Sequence, residues 1–589
     1  MSRNLGIIII IFALLPIVIY FIIPNSSNNP SEFDFYQKDK TVMLNYSYNV
    51  LDNYFQNNNS VNGNFQSLKN TDLNYNVLFV TIFNNGQVRG CQSGSTEFEN
   101  NNRILLDIKE ATIESIEDKR FGGVLQKEEV PNVKIMFTFL YNMTWLYNNS
   151  LAFLENSIEL GIHAIEIFNK NTSEFFKESV PISNNYDLKY TLERLCKKAG
   201  LDDECYSDKE TKIYIYETLT FMGDRKDNIN DLYRYNILIN NDEIDNEKII
   251  ESISSANNWY LNMVNPETDL LEYLYFPSEN MYSTDNNEVR QLASLWAITK
   301  LRMFLNINST NSLINDTLNY YLNFRNHVEN YSYLMIDDNA KLANNAFLIL
   351  SLINTPQYQE QTVLLQQFAN GILSLQNGNG SYDTYFFSDR NTGIDYYPGE
   401  AMLALIKLYD YTKDKKYLDS VNKAFYYYRD YWRNNKNTAF VPWHSQTYKL
   451  LFKETKDPDV AEFIFEMNDW IIDNYQIQKS KHPDEVGGFP KYYPTFSTSV
   501  YLEGINDAYY VAKMLNDTVH MNKYADSIKI GTRFVLQTQF TKNNTFYLEN
   551  ITRSIGGFKT SLTSNELRID NTQHSVMALM KTYENYIFN

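Results

Sequence analysis

The sequence predicts a multidomain protein with an N-terminal transmembrane helix, an α+β domain, and an all-α domain built as a closed ring of helical hairpins. Three observations support this prediction: an uncharged apolar run near the N-terminus, mixed strand and helix patterns within residues 65–221, and regularly spaced helices from residue 247 onward. A chain of 589 residues is long enough for two or more domains that each bury a core.

The N-terminal segment predicts a membrane anchor. Residues 5–23 form an apolar run of 19 residues without a charge, behind Arg3. A bilayer core needs roughly 20 residues of helix, so residues 1–24 are predicted to be a transmembrane helix. We interpret it as an uncleaved signal anchor because no small-residue cleavage site follows; a cleaved signal peptide is the alternative. Arg3 on the short side and the acids after Ser31 place the bulk of the chain outside the cell membrane.

Residues 65–221 are predicted to be the α+β domain, which follows an Asn/Ser-rich spacer at residues 25–64. Runs of β-branched and aromatic residues predict strands, and apolar residues at helical spacing predict helices between them. The strands are expected at 77–83, 88–91, 133–141, 161–168 and 210–218, and the helices near 41–55 in the spacer, 104–117 and 186–199. The polar run at 222–246 is predicted to be a linker, so limited proteolysis should cut there first and leave two folded pieces.

Short motifs of the α+β domain carry a family resemblance. They occur in a fixed order: GQVRGC at 86–91, DKRF at 118–121, EE at 128–129, GIH at 161–163 and LCKKAGL at 195–201. This ordered set resembles the AMMECR family over about residues 40–220. The resemblance implies an α+β fold but no settled biochemical activity. In one departure, Gln92-Ser93-Gly94 follows the Arg89-Gly90-Cys91 motif, where the family usually continues with Ile-Gly.

Cys91 is the candidate nucleophile of this domain. In a functional role, its thiol would lie beside Arg89, and a neighbouring positive charge lowers the pKa of a thiol. In a structural role, Arg89-Gly90-Cys91 would be a strand with a small buried thiol, and no histidine stands near it in sequence as a base. The chain has three cysteines, Cys91, Cys196 and Cys205, so the sequence predicts neither a disulfide framework nor a paired zinc site.

The C-terminal domain, residues 247–589, is predicted to be an (α/α)6 toroid. Amphipathic helices alternate with helices that are apolar on nearly every face, which is typical of an outer and an inner layer. The outer helices are expected at 247–263, 311–328, 357–375, 415–434, 457–475 and 519–539, and the inner helices at 287–305, 339–353, 399–411, 443–454, 499–515 and 571–586. A repeat of this kind indicates that stacked hairpins share one core.

Local phrases in the toroid carry a second resemblance. Tyr397-Pro398-Gly399-Glu400-Ala401 precedes and opens an inner helix, and Gly-Gly-Phe occurs at 487–489 and at 556–558. With the twelve-helix pattern, these phrases resemble the six-hairpin glycosidase superfamily. That superfamily includes hydrolases, polysaccharide lyases and sugar epimerases, so the resemblance implies a glycan or polysaccharide substrate. A fold shared so widely does not fix the chemistry.

Five acids are candidate catalytic residues because they stand near the starts of inner helices or within apolar helices. A buried carboxylate needs a partner or a wet cavity, which makes Glu400 and Glu503 the leading pair. Glycoside cleavage needs two carboxyl groups, and opposite inner helices could hold such a pair across the ring. Asp507 lies four residues after Glu503 and so on the same helix face. Asp395 and Asp338 complete the set of candidates.

The candidate substrate-binding residues are Tyr397, Trp443, His444, Asp570 and His574, each near the start of an inner helix. Aromatic rings offer flat faces for sugars, although ordinary packing explains any one of them equally well. A lyase or epimerase would use Tyr397, His444 or His574 as base and acid instead of two carboxyl groups. For Asp570 and similar acids, helix capping is the structural alternative.

Two functional hypotheses follow. The first is a membrane-anchored, externally facing carbohydrate-active enzyme of hydrolase, lyase or epimerase type. The second is a non-catalytic glycan-binding or scaffolding protein, with the AMMECR-like domain in a modifying or interaction role. The net charge of −19 excludes nucleic acid as an expected partner. No phosphate-binding loop, dinucleotide fingerprint or metal spacing is present, so no cofactor and no metal are predicted.

Overall fold

The computed structural model describes residues 35–56, 75–94, 103–170, 172–226 and 228–588. The predicted transmembrane helix at residues 1–24 lies outside these residues. Within the described ranges, no helix combines the length and the apolar character that crossing a membrane requires.

The first domain is built on a seven-stranded antiparallel sheet. Its strands are β1 (Val77–Asn84), β2 (Gln87–Gly94), β3 (Lys134–Leu146), β4 (Ala164–Asn169), β5 (Thr172–Phe176), β6 (Thr211–Gly223) and β7 (Ile229–Leu232). Their order is β2-β1-β3-β6-β4-β5, and β7 pairs with β6. The turn between β1 and β2 has positive φ at Asn85 and Gly86, the geometry that a two-residue hairpin turn favours. The α+β fold class is therefore confirmed.

Five helices cover this sheet. They are α1 (Gln37–Phe55), α2 (Arg103–Ile116), α3 (Leu151–Ser157), α4 (Ser179–Ser183) and α5 (Leu188–Lys198). Met43, Leu44 and Leu51 of α1 share one core with Ile108 of α2 and Val80 of β1. The helix predicted inside the spacer therefore belongs to the first domain, because its apolar face is buried against α2 and the sheet.

A disulfide bond joins Cys196 at the end of α5 to Cys205 in the turn that follows. The cysteine count predicts no disulfide framework, and this single bond is a correction to that expectation. Three cysteines leave one over, and Cys91 is the free thiol.

The polar run at 222–246 is not an exposed linker. It contains the end of β6, all of β7, and a segment from Tyr233 to Ile239 that lies against the second domain. The Asn236 side chain donates to the backbone oxygen of Gln537, and the Ile239 amide donates to the Gln537 side chain. The part from Tyr233 to Ile239 therefore binds across the domain interface, whereas residues 225–226, 228 and 240–243 are exposed.

The second domain is the predicted ring of helical hairpins. Its outer helices are α6 (Asn246–Asn262), α8 (Asn311–Leu322), α11 (Thr362–Ser374), α13 (Lys415–Asn434), α15 (Pro458–Tyr475) and α17 (Thr518–Gln537). Its inner helices are α7 (Glu288–Leu305), α9 (Leu342–Ile353), α12 (Tyr397–Thr412), α14 (Phe440–Thr455), α16 (Ser497–Leu515) and α19 (Ile569–Glu584). Two short helices, α10 (Pro356–Gln359) and α18 (Ile551–Ser554), lie in connections.

The six inner helices pack in a closed ring in the order α7-α9-α12-α14-α16-α19 and back to α7. Since each inner helix follows an outer one, all six run in the same direction, and their starts gather at one end, called here the N-terminal mouth. The opposite end is the C-terminal mouth. The loops that lead to the N-terminal mouth contain five short strands. They are β8 (Leu274–Phe276), β9 (Met281–Tyr282), β10 (Arg325–Val328), β11 (Tyr331–Leu334) and β12 (Leu567–Arg568).

The first domain packs against the same loops. Adding a Cβ atom at Gly86 would place it 2.2 Å from the backbone oxygen of Leu548, so the β1–β2 turn touches the loop between α17 and α19. The Asn565 side chain, before α19, donates to the backbone oxygen of Ile182 at 2.6 Å. The two domains therefore share an interface beside the N-terminal mouth.

Candidate active site at the N-terminal mouth of the toroid

The central pair of the site is His574 and Glu503, from the second turns of α19 and α16. His574 Nδ1 donates to Glu503 Oε1 across 2.7 Å. The Glu503 side chain is 1% exposed and that of His574 is 12% exposed, so the imidazole lies between a buried carboxylate and the mouth. Glu503 Oε2 has no hydrogen-bond partner in the part of the chain that the structure describes. A buried carboxylate that accepts from one ring nitrogen fixes the tautomer and leaves Nε2 for proton transfer.

Glu400 is the second titratable group of the site. It lies in the first turn of α12 and is 4% exposed, and its Oε2 has no partner within the described residues. Desolvation by burial raises its pKa from 4.5 to about 8, so the carboxyl group carries its proton at neutral pH. The residue before it, Gly399, has to be a glycine, because a Cβ atom there would lie 2.7 Å from Trp443 Cβ. This close approach allows α12 to pack against α14.

Tyr397 and Trp443 flank these groups. Burial, and next the charge of Glu400, raise the pKa of the Tyr397 hydroxyl, which therefore remains protonated at neutral pH. The Trp443 ring lies 5.8 Å from the His574 ring and 6.3 Å from the ring of Trp296, between centroids. These two predicted binding residues are therefore placed beside the acid and the imidazole.

Asp570 forms an ion-pair cluster rather than a helix cap. Arg290 Nε forms an ion pair with Asp570 Oδ2 at 2.9 Å, and Arg568 donates to the same carboxylate through both Nε and Nη2. Arg290 also donates to the Tyr273 hydroxyl at 2.6 Å. Arg568 was missed from the sequence, although a basic residue two positions before an acid at a helix start is a usable signal. The cluster keeps a partly exposed guanidinium, that of Arg290, at the mouth.

Exposed aromatic side chains stand in two loops that lead to the N-terminal mouth. They belong to the loop before α12 and the loop before α16, and they are Phe387, Tyr396, Tyr492 and Tyr493. Their positions are consistent with surfaces on which sugar rings can lie.

Three predicted catalytic acids are not part of the His574–Glu503 pair. Asp507 binds Lys449 and Lys581 in the half of the ring near the C-terminal mouth. Asp395 accepts from the Tyr431 hydroxyl and from Asn437 Nδ2, and so fastens the loop before α14 to the start of α12. Asp338 is exposed in a tight turn.

The Asp338 turn has a backbone explanation. Asp337 and Asp338 both have positive φ, and they connect a bridge between Ile336 and Asn339. Asp and Asn tolerate this conformation better than most residues, so the acids serve the turn.

Two further predictions about the site are corrected by the packing. His444 is fully buried against Phe440, Tyr428 and Tyr448, where burial lowers its pKa to about 3. It is therefore a neutral core histidine between α13 and α14. Glu400 and Glu503 are not on opposite helices, because only α14 separates α12 from α16 in the ring.

The AMMECR-like motif has a structural role in this fold. Arg89 makes a bidentate pair with Glu129, at 2.6 and 2.9 Å, so its charge is already neutralised. A Cβ at Gly90 would lie 1.7 Å from the backbone oxygen of Ser115, so glycine is required where α2 crosses the strand. Cys91 receives a hydrogen bond from Thr81 at 3.3 Å. These contacts give Arg89 and Gly90 structural roles, whereas the Cys91 thiol is free and only half-buried, so its role as a nucleophile stays a prediction.

One group of metal-type donors occurs at the domain interface, within the described residues. Glu159, His482 and Glu485 have donor atoms within 4.8 Å of one another. His482 also bonds the Tyr233 hydroxyl, and Glu485 accepts from Arg234 and from Ser480. Glu159 also lies 3.5 Å from His482 Nε2 and 3.7 Å from Lys481 Nζ, although His482 Nε2 has no hydrogen-bond partner among the described residues. Because the group contains two cations as well as two carboxylates, we interpret it as part of an interdomain ion-pair network.

Comparisons with known proteins divide the chain in the same way. Residues 44–221 match the AMMECR1 family model. A Nanoarchaeum equitans protein is 39% identical over 115 residues, which are 19% of this chain and 63% of that protein. The chain thus spans less than two thirds of that relative. Over residues 44–221, the first domain is therefore similar to the AMMECR1 family.

The toroid is similar in architecture to solved carbohydrate-active enzymes. A family 76 glycoside hydrolase from a bovine Bacteroides thetaiotaomicron strain covers 76% of this chain and 95% of its own, at 12% identity and a TM-score of 0.43. The cellobiose 2-epimerase of Bacillus thermoamylovorans covers 58% of this chain and 98% of its own, also at 12% identity and a TM-score of 0.43.

Proposed function

We propose that this chain, an AMMECR1-type domain followed by a helical toroid, is a carbohydrate-active enzyme that transfers protons at the N-terminal mouth. The observation that carries the proposal is the hydrogen bond from His574 Nδ1 to Glu503 Oε1. It leaves His574 Nε2 as the acid/base atom of a partly exposed imidazole. The reaction class that suits this arrangement is epimerisation or elimination on a sugar.

In the proposed reaction, His574 Nε2 takes a proton from a sugar carbon next to a carbonyl or carboxyl group, and the electron pair of the broken C–H bond moves onto the oxygen of that group. In epimerisation, the carbon then takes up a proton on its other face. In elimination, the electron pair returns to form a C=C bond and the β-substituent leaves with a proton as an alcohol. Glu503 stabilises the imidazolium that forms, because its carboxylate is buried and already aligned. Glu400 holds a proton at neutral pH and is the candidate acid that supports the substrate oxygen. Hydrolysis by Glu400 and Glu503 as a carboxyl pair is less well supported, because Glu503 is occupied by His574.

Substrate binding is assigned to the groups around this pair. Arg290 offers a partly exposed guanidinium that can bind a sugar hydroxyl or carboxylate, whereas Trp443 is 5% exposed and packs beside the His574 ring. The exposed aromatic residues of the loops before α12 and α16 extend the surface outward for a longer glycan.

Product analysis tests the proposed reaction class. The purified chain is incubated with reducing disaccharides and with uronate-containing oligosaccharides, and products are followed by NMR. An epimer or an unsaturated sugar supports the proposal. If hydrolysis products alone are found, a carboxyl pair is the better candidate for catalysis, and proton transfer by His574 is contradicted.

We also propose that the chain is anchored in the cell membrane with its bulk outside. The apolar run at residues 5–23 supports the anchor, and the Cys196–Cys205 disulfide supports an oxidising compartment. A version beginning at Glu32 should be soluble, whereas the full chain should require detergent. Recovery of the full chain in the soluble fraction would contradict the anchor.

The second candidate function is glycan binding without turnover. The exposed aromatic residues of the loops before α12 and α16 favour it, because surfaces on which sugar rings stack are sufficient for recognition. Binding on a glycan array, with no change in the bound sugars over days, would support this candidate against the enzyme.

A further inference from the structure

A second polar site lies in the other half of the ring, toward the C-terminal mouth. A cavity of about 90 Å³ is lined there by residues from five of the six inner helices. Four of them are Lys300, Lys407, Lys449 and Lys581, and we call this space the lysine cavity. Trp296 separates it from Trp443 and the proposed active site.

The lysine cavity carries excess positive charge. Asp507 accepts from both Lys449 and Lys581, so one carboxylate serves two ammonium groups. Glu584 also lines the cavity and its charge acts on Lys300. Four lysines thus face two carboxylates, which leaves a net charge of two positive when all are ionised. Within the described residues, the ammonium groups of Lys300 and Lys407 make no hydrogen bond.

Two neutral donors in the lining are also without partners. Gln446 Nε2 and Trp296 Nε1 are buried, and neither has a hydrogen-bond partner among the described residues. Both side chains are more than nine-tenths buried. A buried donor without an acceptor costs about 1–3 kcal/mol, so two in one cavity call for a ligand that accepts hydrogen bonds.

Helix dipoles do not account for this arrangement. The negative ends of the inner helices lie at this mouth and favour cations, but the effect falls off within the last turn. Lys300, Lys407 and Lys449 each lie five or more residues before the end of their helix. A metal ion is excluded by charge, because it would add cations to a cationic cavity.

We propose that the lysine cavity binds one dianionic oxyanion of the phosphate class. Its oxygens accept from Lys300, Lys407, Gln446 and Trp296, and its two negative charges balance the excess charge of the cavity. A volume of about 90 Å³ holds several water molecules, and therefore one small tetrahedral anion. The site is separate from the proposed sugar site and does not depend on it.

An opening leads from the lysine cavity to the surface. A neighbouring depression of about 230 Å³ shares Lys449, Asp507, Lys581 and Glu584 with it and adds Lys453. The phosphate group can therefore be a free ion or the end of a phosphate monoester whose remainder lies in the depression.

The protonation of Lys407 provides a second measurable sign of anion binding. Burial, followed by repulsion from Lys300, Lys449 and Lys581, lowers its pKa to about 7. At pH 8 inorganic phosphate is already mostly dianionic, whereas Lys407 is mostly neutral. A bound dianion favours the charged ammonium, so binding at pH 8 should take up part of a proton. Calorimetry in two buffers with different ionisation heats measures this uptake directly.

The test uses the full chain in detergent at pH 8, titrated with inorganic phosphate against chloride at equal ionic strength. We expect one phosphate per chain with proton uptake, and an affinity at least about tenfold weaker in Lys407→Met and in Lys300→Met, since each loses a charged hydrogen bond. Lys542→Met, at an exposed lysine far along the chain, is the matched control and should bind normally. His574→Asn should also bind normally, which separates this site from the proposed reaction.

The remaining outcomes decide the ligand and the proposal. Methyl phosphate binding at least as tightly as inorganic phosphate would identify an ester as the ligand, and binding of inorganic phosphate alone would identify the free ion. Absence of binding at millimolar phosphate, or unchanged affinity in a folded Lys407→Met and a folded Lys300→Met, would overturn the proposal. Folding of each variant is checked by circular dichroism.

Discussion

Arg234 Nε donates to Asp484 Oδ2 across 2.7 Å, and this buried ion pair joins the two domains. The side chains are 4% and 2% exposed. Arg234 also donates to the backbone oxygen of Leu160 and to Glu485. Asp484 belongs to the loop that leads to α16, the helix that carries Glu503. The first domain therefore holds one of the loops on which the N-terminal mouth is built.

The first prediction concerns this pair. Replacing Asp484 with Asn leaves the buried Arg234 guanidinium with only Glu485, at 3.2 Å, as its counter-charge, so we expect a loss of stability of about 3 kcal/mol. Chemical denaturation of the purified chain measures the shift in midpoint. The control is Lys197→Met, which breaks an exposed pair with Asp203 and should cost less than about 1 kcal/mol. Equal stability of Asp484→Asn and the parent chain would contradict this role.

The second prediction concerns proteolysis at the domain boundary. Because β7 and the segment after it are paired and bound to the second domain, residues 229–239 should resist limited proteolysis in the parent chain. In Asp484→Asn, the same bonds should open more often and cleavage there should be faster. Mass spectrometry of the first fragments measures both. A first cut inside residues 229–239 of the parent chain would contradict this prediction and would support the exposed linker that the sequence predicts.

The third prediction concerns pH and Glu400. Its pKa is about 8 in the folded chain and near 4.5 when unfolded, so between these values the folded state holds a proton that the unfolded state has lost. The stability from this group is complete below pH 4.5 and is lost as the pH rises through 8. Glu400→Gln removes this dependence and should be more stable than the parent chain at pH 8, by about 2–4 kcal/mol. Melting temperatures at pH 5 and pH 8 measure the difference. Parallel pH curves for the two proteins would mean that Glu400 is not a buried neutral acid.

Much of the toroid was predictable because burial repeats along the chain. The long apolar stretch after Glu400 and the amphipathic pattern of residues 415–434 correspond to α12 and α13. The sequence also indicated which residues lie near the starts of the inner helices. It therefore predicted that one mouth of the ring contains Glu400, Tyr397, Trp443 and His574.

The errors have physical reasons. Asp507 shares a helix face with Glu503, but four residues advance a helix by about 6 Å, which puts Asp507 in the layer of lysines. The segment at 222–246 was predicted to be a linker because a polar composition is typical both of a segment exposed to water and of a segment in a polar interface. Similarly, the spacing of Cys196 and Cys205 did not reveal the turn that brings their Cα atoms to 5.7 Å.

The fourth prediction concerns the disulfide. Closing the short loop between Cys196 and Cys205 restricts the unfolded chain, so its reduction should cost about 2–3 kcal/mol. The melting temperature with and without reductant measures the loss, and Cys196→Ser/Cys205→Ser should match the reduced protein. A chain whose three cysteines all react with a thiol reagent in the folded state would contradict the bond.

The most direct test of the central claim is deuterium exchange into a sugar substrate in D₂O, followed by NMR. We predict that the parent chain exchanges one carbon-bound proton, and that His574→Asn slows this exchange by a factor of about 10² or more. Glu503→Gln should slow it as well, because the amide no longer stabilises the imidazolium. The control is His520→Asn, since His520 makes the same kind of pair with Asp517 on the outer helix α17. Exchange at the parent rate in a folded His574→Asn, or no exchange by the parent chain with any sugar tested, would contradict proton transfer at this mouth.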